Sequence, residues 1–205
     1  MNTPDYREIE SKFAAKAETF TEGIIAMREI LEFYHYTIPG SVGSVQDAKR
    51  QSKEFAIGQS HDYYYSVPEL NGSTSDFVRL RRNIKPGTIN HVITSKKTDK
   101  GDSVDREEVN VEVSREQFRA TRKILRATLG REVIKFVQDY ALFRPDPSVH
   151  SLVVSVKTIS ISDIVFIEVE GPDLAIVEYW CSVIKPITQR QYKKSLWDLF
   201  NLGGL

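Results

Sequence analysis

Polar and apolar residues alternate along several short segments of the chain, a pattern that predicts β-strands with one buried face. The alternation is clearest over residues 106–113, where valine occupies every second position from 109 onward. Turn residues at 86–87 and 100–102 separate neighbouring segments, so hairpin connections are expected. The predicted strands cover residues 6–13, 53–65, 77–83, 89–97, 106–113, 133–137, 152–161 and 164–170.

Three other segments repeat apolar residues at the spacing of an amphipathic helix. They cover residues 21–36, 114–129 and 174–184. Thr21 is the predicted N-cap of the first helix, and Ser114 opens a capping-box sequence at the second. The polar residues up to about 51 are predicted to form a loop. A last amphipathic segment passes through Tyr192, Leu196 and Leu199.

Strands joined by hairpins, with helices interspersed, predict a mainly antiparallel α+β fold. The 205 residues suit a single domain, 1–205, and 40% hydrophobic residues are enough for a core. No apolar run approaches the length of a membrane span, and the acidic N-terminus does not resemble a signal peptide. We therefore expect a cytoplasmic protein without a membrane partner. No obligate protein partner is evident.

The balance of acidic and basic residues excludes some classes of function. Lys and Arg number 28, as do Asp and Glu, so the formal net charge is zero. A general cationic nucleic-acid binder would need a surplus of positive charge. The single cysteine, Cys181, excludes a disulfide framework and a cysteine zinc site.

Charged residues on several predicted strands form alternating pairs of one sign, and residues two apart on a strand share a face. The pairs are Glu8 with Glu10, Glu168 with Glu170, and Arg79 with Arg81; comparable basic positions are Lys12, Lys96, Arg106 and Lys135. An ordinary sheet with a solvated face is one interpretation. Against it, Glu168 and Glu170 lie in an apolar run, and a single-sign pair repels itself unless an opposite charge compensates.

The alternative interpretation is that these charges line an interior site. Carboxylate oxygens suit a hard divalent ion such as Mg²⁺ or Mn²⁺. Clustered Arg and Lys suit a polyphosphate, with Arg making bidentate contacts. Together they indicate metal-assisted phosphoryl chemistry. The apolar faces of the same strands would then be covered by the helices, among them the face formed by Val109, Val111 and Val113.

The same residues resemble the motifs of the CYTH, or triphosphate tunnel metalloenzyme, superfamily. Glu8-Ile9-Glu10-Ser11-Lys12 is similar to its ExExK signature near the N-terminus. Further motifs follow in the family's order along nearly the whole chain. These are His61-Asp62-Tyr63-Tyr64, Val78-Arg79-Leu80-Arg81, Ile93-Thr94-Ser95-Lys96, Arg106-Glu107-Glu108, Phe166-Ile167-Glu168-Val169-Glu170 and Ser195-Leu196-Trp197-Asp198-Leu199.

The resemblance implies a closed, antiparallel, eight-stranded β-tunnel with helices packed outside. It implies a hydrolase that removes the terminal phosphate from a triphosphate with Mg²⁺ or Mn²⁺ as cofactor. The implied metal ligands are Glu8, Glu10, Glu108, Glu168 and Glu170. The implied triphosphate-binding residues are Lys12, Arg79, Arg81, Lys96, Arg106 and Lys135. Lys12, Glu10 and Glu170 would be catalytic.

The chain also departs from the family pattern. Asn110 stands where a second Glu often follows the RxE motif, and Lys135-Phe136-Val137 matches only half of a Lys-x-Arg pair. Lys157 lies near the position of an Asp that often precedes the last acidic strand. Asn110 and the missing Arg at Val137 favour a second hypothesis, a module that binds a polyphosphate or phosphorylated ligand without turnover.

The resemblance leaves the substrate open among inorganic, nucleoside and organic triphosphates. Members that hydrolyse thiamine triphosphate carry a Trp before the paired arginines, where this chain has Phe77-Val78. Class IV adenylate cyclases tend to carry His-Phe upstream of the acidic motif, where this chain has Met1-Asn2-Thr3-Pro4. An RNA 5′-triphosphate end is a less favoured substrate because the chain has no net positive charge.

Overall fold

The structure, a computed structural model, describes residues 7–37, 44–67, 77–98, 105–149 and 151–192, with the backbone alone described at 7, 8, 36, 96–98 and 105–108. These residues form an α+β fold with nine strands and four α-helices. The strands are β1 Arg7–Ala15, β2 Ala56–Ser66, β3 Phe77–Lys85, β4 Thr88–Thr98, β5 Asp105–Val113, β6 Ile134–Phe143, β7 Val153–Ile159, β8 Ser162–Gly171 and β9 Thr188–Tyr192. The helices are α1 Phe20–Thr37, α2 Val45–Gln51, α3 Arg115–Leu129 and α4 Leu174–Ile184.

The sheet has the strand order β5-β4-β3-β2-β6-β7-β8-β1-β9. The α+β class and the antiparallel sheet are confirmed, and β1–β8 correspond to the predicted strands. The ninth strand, β9, begins the segment predicted only as amphipathic, and it pairs with β1. The rest of that segment, including the motif at 195–199, lies outside the described residues. Closure of the sheet into an eight-stranded tunnel stays a prediction.

The described chain divides into two compact units. Unit 1 contains residues 7–8 and 58–138, and unit 2 contains residues 9–57 and 139–192. Strands β1, β2 and β6 each contribute residues to both units. The assignment of residues 1–205 to a single domain stays a prediction.

Unit 2 holds the larger core. One face of β8, formed by Val165, Ile167 and Val169, is buried among side chains of α1, α4, β1 and β7. This confirms that the apolar face of the last acidic strand is covered. From α1, the predicted apolar residues Met27 and Leu31 are fully buried in the same core.

Two local predictions in unit 2 were wrong. Helix α1 begins one residue earlier than predicted and is capped by Thr19, not Thr21, because Thr19 Oγ1 accepts from the backbone N–H of Glu22 at 3.2 Å. Residues 45–51 form the short helix α2 instead of a loop. Ser44 caps this helix and Ala48 anchors it, with no exposed area.

Unit 1 has its core where α3 packs on one face of β2–β4, around Tyr65, Leu80 and Phe118. The capping box predicted at Ser114 is present. The prediction that helices cover the valine face of β5 was wrong for two positions, because Val109 and Val111 are 49% and 50% exposed. Only Val113, closest to α3 in sequence, packs against this core.

Gly23 in α1 provides a test of how closely unit 2 is packed. A Cβ atom at this position would lie 2.8 Å from Val156 Cγ1 and 3.0 Å from Val165 Cγ1. Alanine normally stabilises a helix by about 1 kcal/mol relative to glycine, whereas overpacking a core costs about 1–3 kcal/mol. We therefore expect Gly23→Ala to lower the free energy of unfolding by about 1 kcal/mol, measured by urea denaturation. Thr21→Ala, at an exposed position of the same turn, is the control and should leave stability unchanged or slightly raised.

Candidate functional site

Five charged residues of unit 2 come together on one face of three strands, and we call them the carboxylate–lysine cluster. Glu10 and Lys12 lie on β1, Lys157 on β7, and Glu168 and Glu170 on β8. The antiparallel register places Glu10 opposite Glu170 and Lys12 opposite Glu168. Directly opposed residues project from the same face of a sheet. The two acidic motifs therefore lie side by side on one face of the sheet, and their predicted role in metal binding stays a prediction.

Glu168 lies at the centre of the carboxylate–lysine cluster. Lys12 Nζ is 3.0 Å from Glu168 Oε1, and Lys157 Nζ donates to Glu168 Oε2. Longer contacts of 3.6 Å join Lys12 Nζ to Glu10 Oε1 and Lys157 Nζ to Glu170 Oε1. Lys12, Lys157 and Glu168 are buried, whereas Glu10 and Glu170 are half-buried and reach solvent.

The mutual attraction of these charges outweighs the cost of burying them. Burial alone would lower the pKa of Lys12, but the negative charges of Glu10, Glu168 and Glu170 raise it above its ordinary value. Burial alone would raise the pKa of Glu168, but Lys12 and Lys157 hold it well below its ordinary value. Lys12 and Glu168 are therefore both charged at neutral pH.

The donor set of the carboxylate–lysine cluster fits a hard divalent cation. Oxygens of Glu10, Glu168 and Glu170 lie within 4.8 Å of one another. Each oxygen of Glu168 is already bonded to an ammonium group, so Glu10 and Glu170 are the more accessible ligands. The three carboxylates and two ammonium groups of the cluster together carry a net charge of only −1.

Sequence reasoning did not predict Lys157 as a member of this cluster. Lys157 lies two residues from Ser155, which pairs with Glu168 in the register of β7 and β8. The alternation in 153–157 therefore places Lys157 on the cluster's face. That signal was present in the sequence, but the register between β7 and β8 was needed to use it.

Unit 1 carries a second group of polar residues, on the face of β2–β5 opposite α3. We call it the arginine face and define it by Asp62, Arg79, Arg81, Thr94 and Asn110. Asp62 lies opposite Arg81, Arg79 opposite Thr94, and Thr94 opposite Asn110. The predicted common orientation of Arg79 and Arg81 agrees with this register.

Each arginine of this face is held by a defined partner. Arg81 donates to both oxygens of Asp62, from Nε at 2.8 Å and from Nη2 at 2.6 Å. Arg79 Nη2 donates to Thr94 Oγ1 at 3.1 Å, and Thr94 donates to Asn110 Oδ1 at 2.7 Å. Asn110, the departure from the family pattern, is thus an acceptor in a chain of hydrogen bonds that ends at Arg79.

Asp62 has no exposed area, and its orienting role was missed in the sequence. Burial would raise the pKa of its carboxyl, but the adjacent Arg81 holds that pKa below its ordinary value. A bidentate pair fixes the plane of a guanidinium group. Asp62 therefore holds Arg81 in one orientation, although it also neutralises part of its charge.

Aromatic rings close one end of the arginine face. The Tyr64 ring lies 5.1 Å from Phe77 and 5.5 Å from Phe136, and all three residues are buried. Tyr63 and Tyr65 lie on the other face and pack in the core around α3. The three consecutive tyrosines therefore pack against other side chains of unit 1.

The structure does not bring Lys135 to the arginine face. Its Nζ lies 5.8 Å from the centre of the Tyr63 ring, on the face that carries α3. Its neighbour Phe136 contacts Tyr64, which lies opposite Arg79. The side chains of Glu8, Lys96, Arg106 and Glu108 lie outside the described residues, so their predicted roles stay predictions.

No family model and no curated protein sequence matches this chain. Solved structures do match it along nearly its whole length. A protein from Pyrococcus horikoshii is 18% identical, with a TM-score of 0.68, and the match covers 97% of this chain and 99% of that one. This chain has the fold of that protein.

Two further structures with this fold have names that refer to an activity. One is a Hippeastrum protein, a candidate adenylyl cyclase with a dominant triphosphatase activity (12% identity, TM-score 0.60, covering 97% of this chain and 96% of that one). The other is a candidate adenylate cyclase from Vibrio parahaemolyticus (12% identity, TM-score 0.61, covering 96% and 98%). These similarities are consistent with the resemblance to the CYTH superfamily noted from the motifs.

None of the helices in the described residues is long and apolar enough to cross a membrane.

The low pKa of Glu168 leads to a prediction about acid stability. A carboxyl with a depressed folded pKa stabilises the fold above its unfolded pKa of about 4.5, and this contribution is lost as the pH falls below that value. Replacing Glu168 by Gln leaves two buried ammonium groups without their shared partner. We expect Glu168→Gln to lower the free energy of unfolding at pH 7 by about 3–5 kcal/mol and to flatten its decline in acid.

Chemical denaturation between pH 3 and pH 7 (about the range in which a carboxyl titrates) measures both effects. Glu178→Gln, at an exposed position of α4, is the matched control and should keep the wild-type profile. A Glu168→Gln variant as stable as wild type at pH 7 would contradict the assigned ion pairs.

Proposed function

We propose that this chain is a divalent-metal-dependent hydrolase that removes the terminal phosphate from a triphosphate. The observation that carries the proposal is the carboxylate–lysine cluster, in which three carboxylates lie close enough to bind one cation. The substrate would be an inorganic, nucleoside or organic triphosphate. The triphosphatase activity of the Hippeastrum protein supports this class of reaction.

Glu10 and Glu170 would hold the metal, because they are half-buried and their contacts to lysine are the longer ones. A bound Mg²⁺ or Mn²⁺ would supply charge neutralisation and activation of water. Glu168 would hold both lysines in place and join the ligand set only if one lysine moves away. The predicted roles of Lys12 in phosphate binding and catalysis stay predictions, since here its ammonium group is bonded to Glu168.

Arg79 and Arg81 of the arginine face would bind phosphate oxygens. Phosphoryl transfer needs cations fixed in advance around the transferring group, because its charge is spread over three oxygens. Asp62 and Thr94 provide this fixation for Arg81 and Arg79. We also propose that the strands close into the predicted tunnel. The additional pairing of β5 with β1, whose first two residues belong to unit 1 with β5, supports this.

Assays of phosphate release from inorganic triphosphate, ATP and thiamine triphosphate, each with Mg²⁺ or Mn²⁺, test the proposal directly. We expect release from at least one substrate, and loss of release when EDTA is added. Glu170→Gln removes one negative ligand while keeping the side-chain volume, so turnover should fall by more than about 100-fold.

Glu178→Gln serves again as the control and should retain full activity. Full turnover in metal-free buffer, or a Glu170→Gln variant with wild-type activity, would overturn the proposal. Formation of pyrophosphate and a cyclic nucleotide from ATP would instead indicate the cyclase-type reaction.

A second candidate function is binding of a triphosphate without turnover. The presence of Lys157 within the cluster favours it, because a fixed ammonium group already occupies part of the space and charge that a cation would use. In the same assays this function would give saturable triphosphate binding with no released phosphate.

The competition between Lys157 and a metal can be measured without any activity. Lys157→Met keeps the length of the side chain and removes its charge. We expect this variant to bind Mn²⁺ about tenfold more tightly, because repulsion between like charges a few ångströms apart is removed. Titration followed by Mn²⁺ electron paramagnetic resonance measures the affinity. Lys185→Met, at an exposed position of unit 2, should bind Mn²⁺ as wild type does. Unchanged affinity in Lys157→Met would show that Lys157 does not compete with the cation.

A further inference from the structure

Unit 1 contains a cleft on the side of the sheet that carries α3, away from the arginine face. Residues from the ends of β3, β4 and β5 and from the first residue of α3 line it, and its volume is about 450 Å³. Arg82 and His91 face each other across β3 and β4 in this cleft. Arg115 lines it from α3.

His91 is the most unusual residue of the cleft. It is only 8% exposed, and its ring packs 4.8 Å from the Phe118 ring. Within the part of the chain that the structure describes, no hydrogen bond is made by either ring nitrogen, and neither is sealed off from solvent. A buried imidazole normally satisfies its polar atoms. The ring nitrogens of His91 are therefore open to a ligand in the cleft.

The surroundings of His91 are positively charged. The charges that affect the pKa of His91 include those of Arg82 on β3 and of Arg115 and Arg119 on α3. None of these arginines forms an ion pair with a carboxylate of the described residues. Two carboxylates are also near. Glu116 lies in the first turn of α3, and Glu112 of β5 accepts a hydrogen bond from Asn90 Nδ2 at 3.1 Å. Burial, Arg82 and Arg115 together lower the pKa of His91, so its imidazole is neutral at pH 7.

The size and the apolar lining of the cleft indicate more than a bare ion. Its volume of about 450 Å³ falls in the range of sites for small molecules. Ile89, which is 52% exposed, and Val113 line the same space and offer apolar contact. Arginine side chains bind phosphate in a bidentate manner, and a neutral imidazole can donate one hydrogen bond.

We propose that this cleft is a binding site for a small organic phosphomonoester, with Arg82 and Arg115 on the phosphate, His91 as a hydrogen-bond donor to it, and Ile89 and Val113 against the organic group. The site is separate from the arginine face, because Arg82 alternates with Arg79 and Arg81 along β3 and so projects from the opposite face. The inference does not rest on the proposed hydrolase function.

Phenyl phosphate, which joins a phosphate to a small apolar ring, is the probe. Its binding is followed by the NMR titration of the His91 imidazole, since a bound dianion favours the protonated ring and raises the pKa of His91. We expect a saturable shift with phenyl phosphate and a weaker one with inorganic phosphate. Arg82→Ala and Arg115→Ala should each weaken the response by about tenfold, the scale of one charge-assisted hydrogen bond.

Two control variants make the result specific to the cleft. Arg131→Ala removes an exposed arginine just beyond α3, and Arg79→Ala removes one from the arginine face; both should keep the wild-type response of His91. An unchanged His91 titration at millimolar phenyl phosphate would overturn the proposal, and so would an equal response in the Arg82→Ala, Arg115→Ala double variant. Equal responses to phenyl phosphate and inorganic phosphate would contradict the proposed contact between the cleft and the organic group. Thermal melting confirms that each variant is folded, so that a lost response reports on binding.

Discussion

The buried carboxylate of Glu168 imposes the strictest constraint on unit 2. It can stay ionised only because Lys12 and Lys157 each bond one of its oxygens. Removing either lysine would leave a buried charge under-compensated, which is far more costly than losing an exposed ion pair. The contacts in turn require β1 and β7 to flank β8 in one register. A shift by one residue would direct Lys12 to the apolar face. The same interaction therefore fixes the strand register and assembles the acidic residues.

Unit 1 also pairs a buried carboxylate with a basic side chain, but there the more exposed groups are the cations. Here the cations, Arg79 and Arg81, are half-buried, and the buried partner of Arg81 is Asp62. The carboxylate accepts two hydrogen bonds from Arg81, and Thr94 accepts one from Arg79, so both arginines are oriented before any ligand arrives. Orientation in advance is what phosphoryl-transfer sites require. In unit 2 Glu10 and Glu170 are more exposed than the lysines they contact, and in unit 1 Arg81 is more exposed than Asp62.

Much of this arrangement could be predicted from the sequence, because strand alternation alone specifies which side chains share a face. It placed Glu10 with Lys12, Glu168 with Glu170, and Arg79 with Arg81. It could not specify which strands are neighbours, and so it missed Lys157. Helix α2 was missed because its signal is a single cap at Ser44 and one buried residue, Ala48, in a polar segment.

Lys135 shows a different limit of sequence reasoning. A basic residue in a strand between two apolar positions is consistent with either face of a sheet, and the family motif favoured the face of the arginines. The decisive evidence is the packing of the adjacent Phe136 against Tyr64. The prediction that helices cover the valine face of β5 was wrong for a related reason. The core around α3 includes Val113 but not Val109 and Val111, which are exposed.

The balance of charge in the carboxylate–lysine cluster determines how it can respond to a cation. Three carboxylates without lysines would repel one another strongly and depend on a metal for stability. With two lysines, the cluster carries a charge of −1 and is stable without a metal, because each oxygen of Glu168 has its partner. A divalent cation would then act mainly on Glu10 and Glu170, whose contacts to lysine are 3.6 Å long. The fold of unit 2 and the binding of a cation are thereby separated. The most buried carboxylate maintains the structure, and the two that reach solvent are the ones that a cation would contact.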